Sequence, residues 1–139
     1  MAKTNAKEVL EIKKVYKIYN LGEVEVRALD GVDLSVREGE YISIMGPSGS
    51  GKTTMLDVLS TMMRPTRGSV LINGKNTTKM TNAELSSFRG HTIGFIFQTF
   101  NLLPKLNALE NVIAPMWING VPRSERVDRA KALLNQVDL

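Results

Sequence analysis

Residues 41–54 read YISIMGPSGSGKTT, five largely apolar residues followed by a segment with three glycines and a lysine in seven positions. Gly46, Gly51, Lys52 and Thr53 occupy the fixed places of the phosphate-loop pattern G-x-x-x-x-G-K-[ST]. Each residue type has a chemical reason. Backbone N–H groups can surround a polyphosphate only where no Cβ blocks their approach, and Gly49 and Gly51 provide that access. A helix starting at Gly51 aims its unpaired N–H groups and its dipole at an anion. Lys52 then places a compact positive charge between the β- and γ-phosphates, and Thr53 offers a hydroxyl to Mg²⁺. With glycine near 7% of residues, such a coincidence is expected in well under roughly 1% of chains of this length. Gly46, Pro47, Ser48, Gly49, Ser50, Gly51, Lys52, Thr53 and Thr54 are therefore candidate nucleotide-binding residues.

Working outward, the alternation over Val9–Tyr19 and again over Val26–Val36 predicts two strands joined by a turn at 20–23. Tyr41–Met45 reads as a short buried strand leading into the loop. The apolar spacing of Met55, Leu56, Val58, Leu59, Met62 and Met63 predicts a helix over 51–63. A strand over 68–72 closes on Asn73-Gly74, a hairpin signal. Thr81–Glu84 is a capping box opening a helix that ends at Gly90, and Thr92–Phe97 reads as a further apolar strand. Asn107–Glu110 repeats the capping pattern. Pro122 opens a last helix with Val127, Ala130, Leu134 and Val137 on one face. The fold class is α/β: a P-loop NTPase core preceded by an antiparallel β-subdomain, which the family resemblance given below implies is incomplete. The expected organisation is a β-flap over about 8–40, the loop strand, helix and following strands over 41–97, and the start of a helical region over 98–139.

The 139 residues hold 18 Lys and Arg against 14 Asp and Glu, a net charge of +4 without a basic cluster. A nucleic-acid stripe is therefore not expected. Cysteine is absent, which excludes disulfides and thiolate metal sites. No apolar run reaches the roughly 18–20 residues that span a bilayer, so no direct membrane insertion is expected. His91, the single histidine, is read as structural or surface; Trp117 and Met62, Met63 and Met116 are read as packing.

Forty-five residues precede the loop, and the GTPase strings D-x-x-G and N-K-x-D do not occur. Taken in order, Tyr19, the loop, Pro65–Val70 with Ile72-Asn73-Gly74, Ile93–Gln98 and Asn101–Pro104 give a pattern that resembles the ATP-binding domain of ABC transporters. The resemblance covers the chain from about Leu10 to Leu139. Within that superfamily, FNLLPKLNALENVIAPM (100–116) is similar to the group of lipoprotein-release and macrolide-efflux ATPases.

The resemblance implies ATP and Mg²⁺ as cofactors. It implies that Tyr19 stacks on adenine, that the loop with Lys52 holds the phosphates, and that Thr53 and Gln98 approach Mg²⁺ and the attacking water. Lys52 and Gln98 are thus the implied catalytic residues within this chain. The implied partners are a second copy, forming a head-to-tail homodimer, and a transmembrane permease. The permease would hold the protein at the cytoplasmic, inner face of the cell membrane. The apolar residues Leu102, Leu103 and Leu106 suit a docking groove for it. The alternative is a soluble ABC-type ATPase acting on nucleic acid or ribosomes.

The pattern departs from the family toward its end. No LSGGQ signature occurs; Leu85-Ser86-Ser87 shares two letters and lies too early. An apolar strand ending in Asp-Glu and a late switch histidine are also missing. The expectation is an N-terminal portion of an ABC ATPase that binds nucleotide weakly and does not hydrolyse it by itself.

Overall fold

In the computed structural model, residues 7–139 are described, and they form two compact units that divide between Arg89 and Gly90. The first unit is built on a four-stranded antiparallel sheet. Strands β1 (Glu8–Leu21) and β2 (Val24–Arg37) form a long hairpin, and β3 (Arg67–Ile72) and β4 (Lys75–Asn76) follow, in the order β2-β1-β3-β4. The Gly22–Glu23 turn between β1 and β2 sets the register. Counting outward from it, Leu21 faces Val24, Tyr19 faces Val26 and Ile18 faces Arg27. Both turn residues between β3 and β4 have positive φ, 49° at Asn73 and 76° at Gly74, the signature of a type I′ hairpin.

Helix α1 (Lys52–Leu59) follows the phosphate loop, and α2 (Asn82–Thr92) begins on the expected capping box. There Thr81 N–H donates to Glu84 Oε2 at 2.7 Å, and Glu84 N–H donates back to Thr81 Oγ1 at 3.3 Å. The buried apolar residues of this unit are Ile12 and Val15 of β1, Leu29 of β2, Val70 and Ile72 of β3, Val58 of α1 and Leu85 of α2. Two arginines brace the segment after α1. Arg64 donates to the carbonyls of Thr78 (3.1 Å) and Met80 (2.5 Å), and Arg89 donates to the carbonyl of Thr61 (2.9 Å).

The second unit contains α3 (Ala108–Ile118) and α4 (Arg123–Asn135), which pack on one another and bury Met116 and Ala130. A full capping box starts α3. Asn107 Oδ1 accepts from Glu110 N–H, and Glu110 Oε2 accepts from Asn107 N–H, both at 2.9 Å. Pro122 is the N-cap of α4, as its position in the sequence implies. Among the described residues no helix is long and apolar enough to cross a membrane.

Several sequence expectations fail, each for a local physical reason. Tyr41–Met45 and Thr92–Phe97 form no strands. A strand satisfies its backbone only through a neighbour, and neither segment has a ladder partner among the described residues. None of their side chains is buried, and Tyr41 is 92%, Met45 86% and Ile96 97% exposed. Helix α1 stops at Leu59, four residues short of Met63, because Thr61 turns to φ 60°. Helix α2 passes through Gly90 and ends at Thr92. Met116 is core as read, but Trp117 and Met62 are exposed; on α4 Val127 is exposed and Ala130 is fully covered, while Val137 lies beyond the end of the helix and is exposed.

Thr61 combines two unfavourable features. It is a β-branched residue in the left-handed region, and its Oγ1 is buried without a hydrogen-bond partner. Releasing that backbone strain is worth about 1–2 kcal/mol, and removing a buried unpaired hydroxyl about 1–3 kcal/mol. Against this stand roughly 0.5–1 kcal/mol of glycine chain entropy and about 0.8 kcal/mol for the lost methyl. Thr61→Gly is therefore expected to raise unfolding stability by about 1 kcal/mol or more, read as a higher urea midpoint at unchanged slope.

The Glu84 carboxyl is held below its usual range, first by the Thr81 backbone N–H and then by the Thr81 hydroxyl. A carboxylate lowered on folding contributes stability above its unfolded pKa of about 4.3, and that contribution disappears as pH falls through the folded value. Glu84→Gln should flatten that acid limb of the stability–pH profile while leaving the neutral-to-basic side level.

Candidate nucleotide site

The loop after Met45 closes on itself through its own lysine. Lys52 Nζ donates to the carbonyl oxygens of Gly46 at 2.9 Å and Pro47 at 2.6 Å, charge-assisted bonds across the mouth of the loop. Ser50 N–H donates to the Pro47 carbonyl at 3.3 Å, tightening the turn inside it. Gly51 is the N-cap of α1, and Met55 N–H to Gly51 carbonyl, 2.8 Å, is the bond that starts the helix. The first turn carries no acidic residue, so its dipole meets no competing carboxylate. Gly46, Pro47, Ser48, Gly49, Ser50 and Thr53 are exposed, with Gly51, Lys52 and Thr54 half-buried.

Gly51 is the point at which sheet and loop touch. Its φ is 88°, and a Cβ built there would overlap the carbonyl oxygen of Ala28 in β2. Gly49 shares the positive φ, 81°, but faces open space. Only glycine meets both demands at position 51. The cleft beside the loop, about 420 Å³, is consequently walled on its other side by β2, including Arg27, Ala28 and Asp30. Arg27 Nε donates to Glu25 Oε1 at 2.8 Å, and its Nη1 lies 3.6 Å from Asp30 Oδ1. The Glu25 hydrogen bond and charge, with Asp30 behind them, hold the guanidinium above its ordinary pKa.

The loop residues 46–54 thus sit together at the start of α1, with Lys52 at their centre. Tyr19 belongs to the same unit but does not line the cleft. Its hydroxyl lies 3.1 Å from Met63 Sδ, and Lys17 Nζ stands 5.3 Å from its ring centre. Gln98 belongs to the second unit, in the exposed stretch between α2 and α3. In that stretch the Phe95 and Phe97 rings meet at 4.6 Å, and Phe100 is 92% exposed. The following loop is pinned to α3 by Asn111. Its Nδ2 donates to the carbonyls of Leu103, Leu106 and Asn107, and its Oδ1 accepts from Leu103 N–H at 2.8 Å. Sequence reasoning missed the β2 wall, although the two-residue turn at Gly22–Glu23 would have placed Arg27 one step beyond the partner of Tyr19.

The comparisons with known proteins bear on this loop-and-helix arrangement. A family model described as ABC transporter matches residues 29–139. The chain belongs to the ABC transporter family. An uncharacterized ABC transporter ATP-binding protein of Thermotoga maritima is 54% identical over 133 residues, which cover 96% of this chain and 57% of that protein. The lipoprotein-releasing system ATP-binding protein LolD of Geobacter metallireducens is 46% identical, over 94% of this chain and 58% of its own length. The macrolide export ATP-binding/permease protein MacB of Aggregatibacter actinomycetemcomitans is 42% identical over 94% of this chain and 20% of its own. Among solved structures, the dimeric post-hydrolysis state of the ATP-binding cassette MJ0796 bound to ADP and Pi superimposes with a TM-score of 0.86 at 43% identity. That match covers 94% of this chain and 57% of MJ0796. The chain thus spans little more than half the length of the single-cassette relatives it matches.

The two loop glycines test the geometry. Gly49→Ala meets only the left-handed backbone cost, about 1 kcal/mol, whereas Gly51→Ala adds overlap with the Ala28 carbonyl and should cost at least about 3 kcal/mol. Chemical denaturation of the two variants side by side checks this; equal shifts would contradict the contact between loop and sheet.

Proposed function

We propose that the protein is the ATP-binding subunit of an ABC transporter, binding Mg²⁺-ATP at the 46–54 loop and coupling its hydrolysis to a membrane permease. The observation that supports this most is the position of the Lys52 ammonium, held by the Gly46 and Pro47 carbonyls at the first turn of α1. A phosphate group offers that ammonium stronger acceptors than two neutral carbonyls, so Lys52 would exchange them for β- and γ-phosphate oxygens. Loop N–H groups and the start of α1 would hold the remaining phosphate oxygens. Thr53, exposed in the first helical turn, would offer its hydroxyl to Mg²⁺, which neutralises charge on the phosphates. Gln98 would complete the metal and water contacts through its neutral amide. Tyr19 would leave Met63 and present its ring face to adenine.

Turnover requires more than these residues supply, since residues 1–139 contain no Asp-Glu pair after an apolar strand and no signature sequence. We infer that the bare segments 41–45 and 92–97 pair with further chain of the kind the longer relatives possess, and that a second copy completes the site head to tail. The likeness to the dimeric MJ0796 cassette supports the second copy. The similarity to LolD and MacB supports a permease partner, which would hold the protein at the cytoplasmic face of the membrane. Leu102, Leu103 and Leu106, exposed at the loop that Asn111 pins at Leu103 and Leu106, form the apolar surface proposed to meet it.

The test is a titration of the purified protein with a fluorescent ATP analogue in the presence of Mg²⁺. Lys52→Ala should weaken binding by roughly tenfold to a hundredfold, the range for hydrogen bonds to charged groups. An unchanged affinity, or no affinity in the unaltered protein, would refute the assignment.

A further inference from the structure

Tyr19 does not line the cleft beside the phosphate loop, and the contacts that hold it elsewhere come from β1 itself and from one short segment, 63–66, just after α1. That segment clasps β1 at four consecutive residues, Tyr16 to Tyr19. Thr66 N–H donates to the Tyr16 carbonyl at 2.8 Å, and Thr66 Oγ1 accepts from Ile18 N–H at 3.0 Å. Lys17 Nζ donates to the Arg64 carbonyl at 3.1 Å, and the Tyr19 hydroxyl donates to Met63 Sδ, also at 3.1 Å. The segment is itself tied down. Met63 N–H donates to the Asp57 carbonyl of α1 at 2.9 Å, and the Arg64 guanidinium donates to the carbonyls of Thr78 and Met80.

The two Thr66 bonds engage the β1 backbone and hold the segment whatever the Tyr19 side chain does. The other two gather on that side chain. Met63 engages its hydroxyl, and the Lys17 ammonium, fixed by the Arg64 carbonyl, stands over its ring at 5.3 Å from the centre. A cation over an aromatic face occupies the place that a stacked base would need on that face. We propose that Met63, with Lys17 beside it, is an autoinhibitory latch on Tyr19, so that a nucleotide base gains its stacking surface only by breaking the Tyr19–Met63 contact. This rests on the reading of the 46–54 loop as an ATP site with Tyr19 facing the base. A protein whose binding-competent conformer is a fraction of its population shows an affinity lowered by that fraction. Neither Lys17 nor Met63 lines the cleft, so an anion that lacks a base does not meet the latch.

That difference supplies the test. Calorimetric titrations of the chain with ATP, with ADP and with inorganic tripolyphosphate, each with Mg²⁺, are compared between the unaltered protein and Met63→Leu. Leucine keeps the volume and apolarity of the site while removing the sulfur acceptor. ATP and ADP should each bind Met63→Leu more tightly, by about twofold to tenfold, the range of a sulfur contact to an aromatic residue. Tripolyphosphate should bind both proteins alike. Tyr19→Phe, which keeps the ring and loses the hydroxyl, should give a gain of the same size for ATP. The double variant should add nothing further, because both changes remove one and the same bond. Unchanged or weakened ATP binding in both single variants would overturn the latch and leave the phosphate site standing. So would gains that add in the double variant, or an equal gain for tripolyphosphate. Failure of the unaltered chain to bind either tripolyphosphate or ATP would instead overturn the loop as an ATP site, and the latch with it.

Discussion

The approach of Gly51 to the Ala28 carbonyl is the constraint on which the site depends. A phosphate loop binds anions with its backbone, so its shape must be fixed by something other than side-chain packing. Here the fixing element is another backbone. The β1–β2 hairpin brings the Ala28 carbonyl against the last glycine of the loop, where any side chain would be in the way. Buried Leu29, the next residue of β2, anchors that strand in the core of the unit. The same strand then supplies the opposite wall of the cleft. Sheet, loop and helix start are in this way one mechanical object, although the sheet carries none of the phosphate-loop motif.

Much of this is legible in the sequence. Turn chemistry announced both hairpins, and the capping boxes at Thr81 and Asn107 announced α2 and α3, because these signals are local and satisfy specific backbone groups. The loop motif was legible for the same reason: its requirements fall within nine consecutive residues. The apolar runs at 41–45 and 92–97 misled, since apolarity identifies what a segment would bury against and not whether the partner is there. Thr61 misled in the opposite direction. The helical stripe continues through Met62 and Met63, and nothing in it marks the left-handed turn that ends α1 at Leu59.

The site was less legible than the fold. Lys52 can be named as a candidate from its motif, but its bonds to the Gly46 and Pro47 carbonyls depend on loop geometry that no spacing rule contains. Tyr19 lies on the strand its pattern implies, yet its hydroxyl meets Met63, a residue 44 positions away, and only the paired register reveals that Val26 is its ladder partner. Long-range contacts of this type are set by topology, which composition and periodicity constrain only loosely.

Asn111 has a consequence of its own. Its amide distributes its hydrogens among three carbonyls spanning Leu103 to Asn107 and takes one N–H in return, although every residue of that stretch is exposed. A greasy surface loop would ordinarily sample many shapes and forfeit that freedom upon contact with another molecule, a penalty that weakens association. Here a single side chain already restrains the stretch, so a molecule docking on it would forfeit less of that freedom.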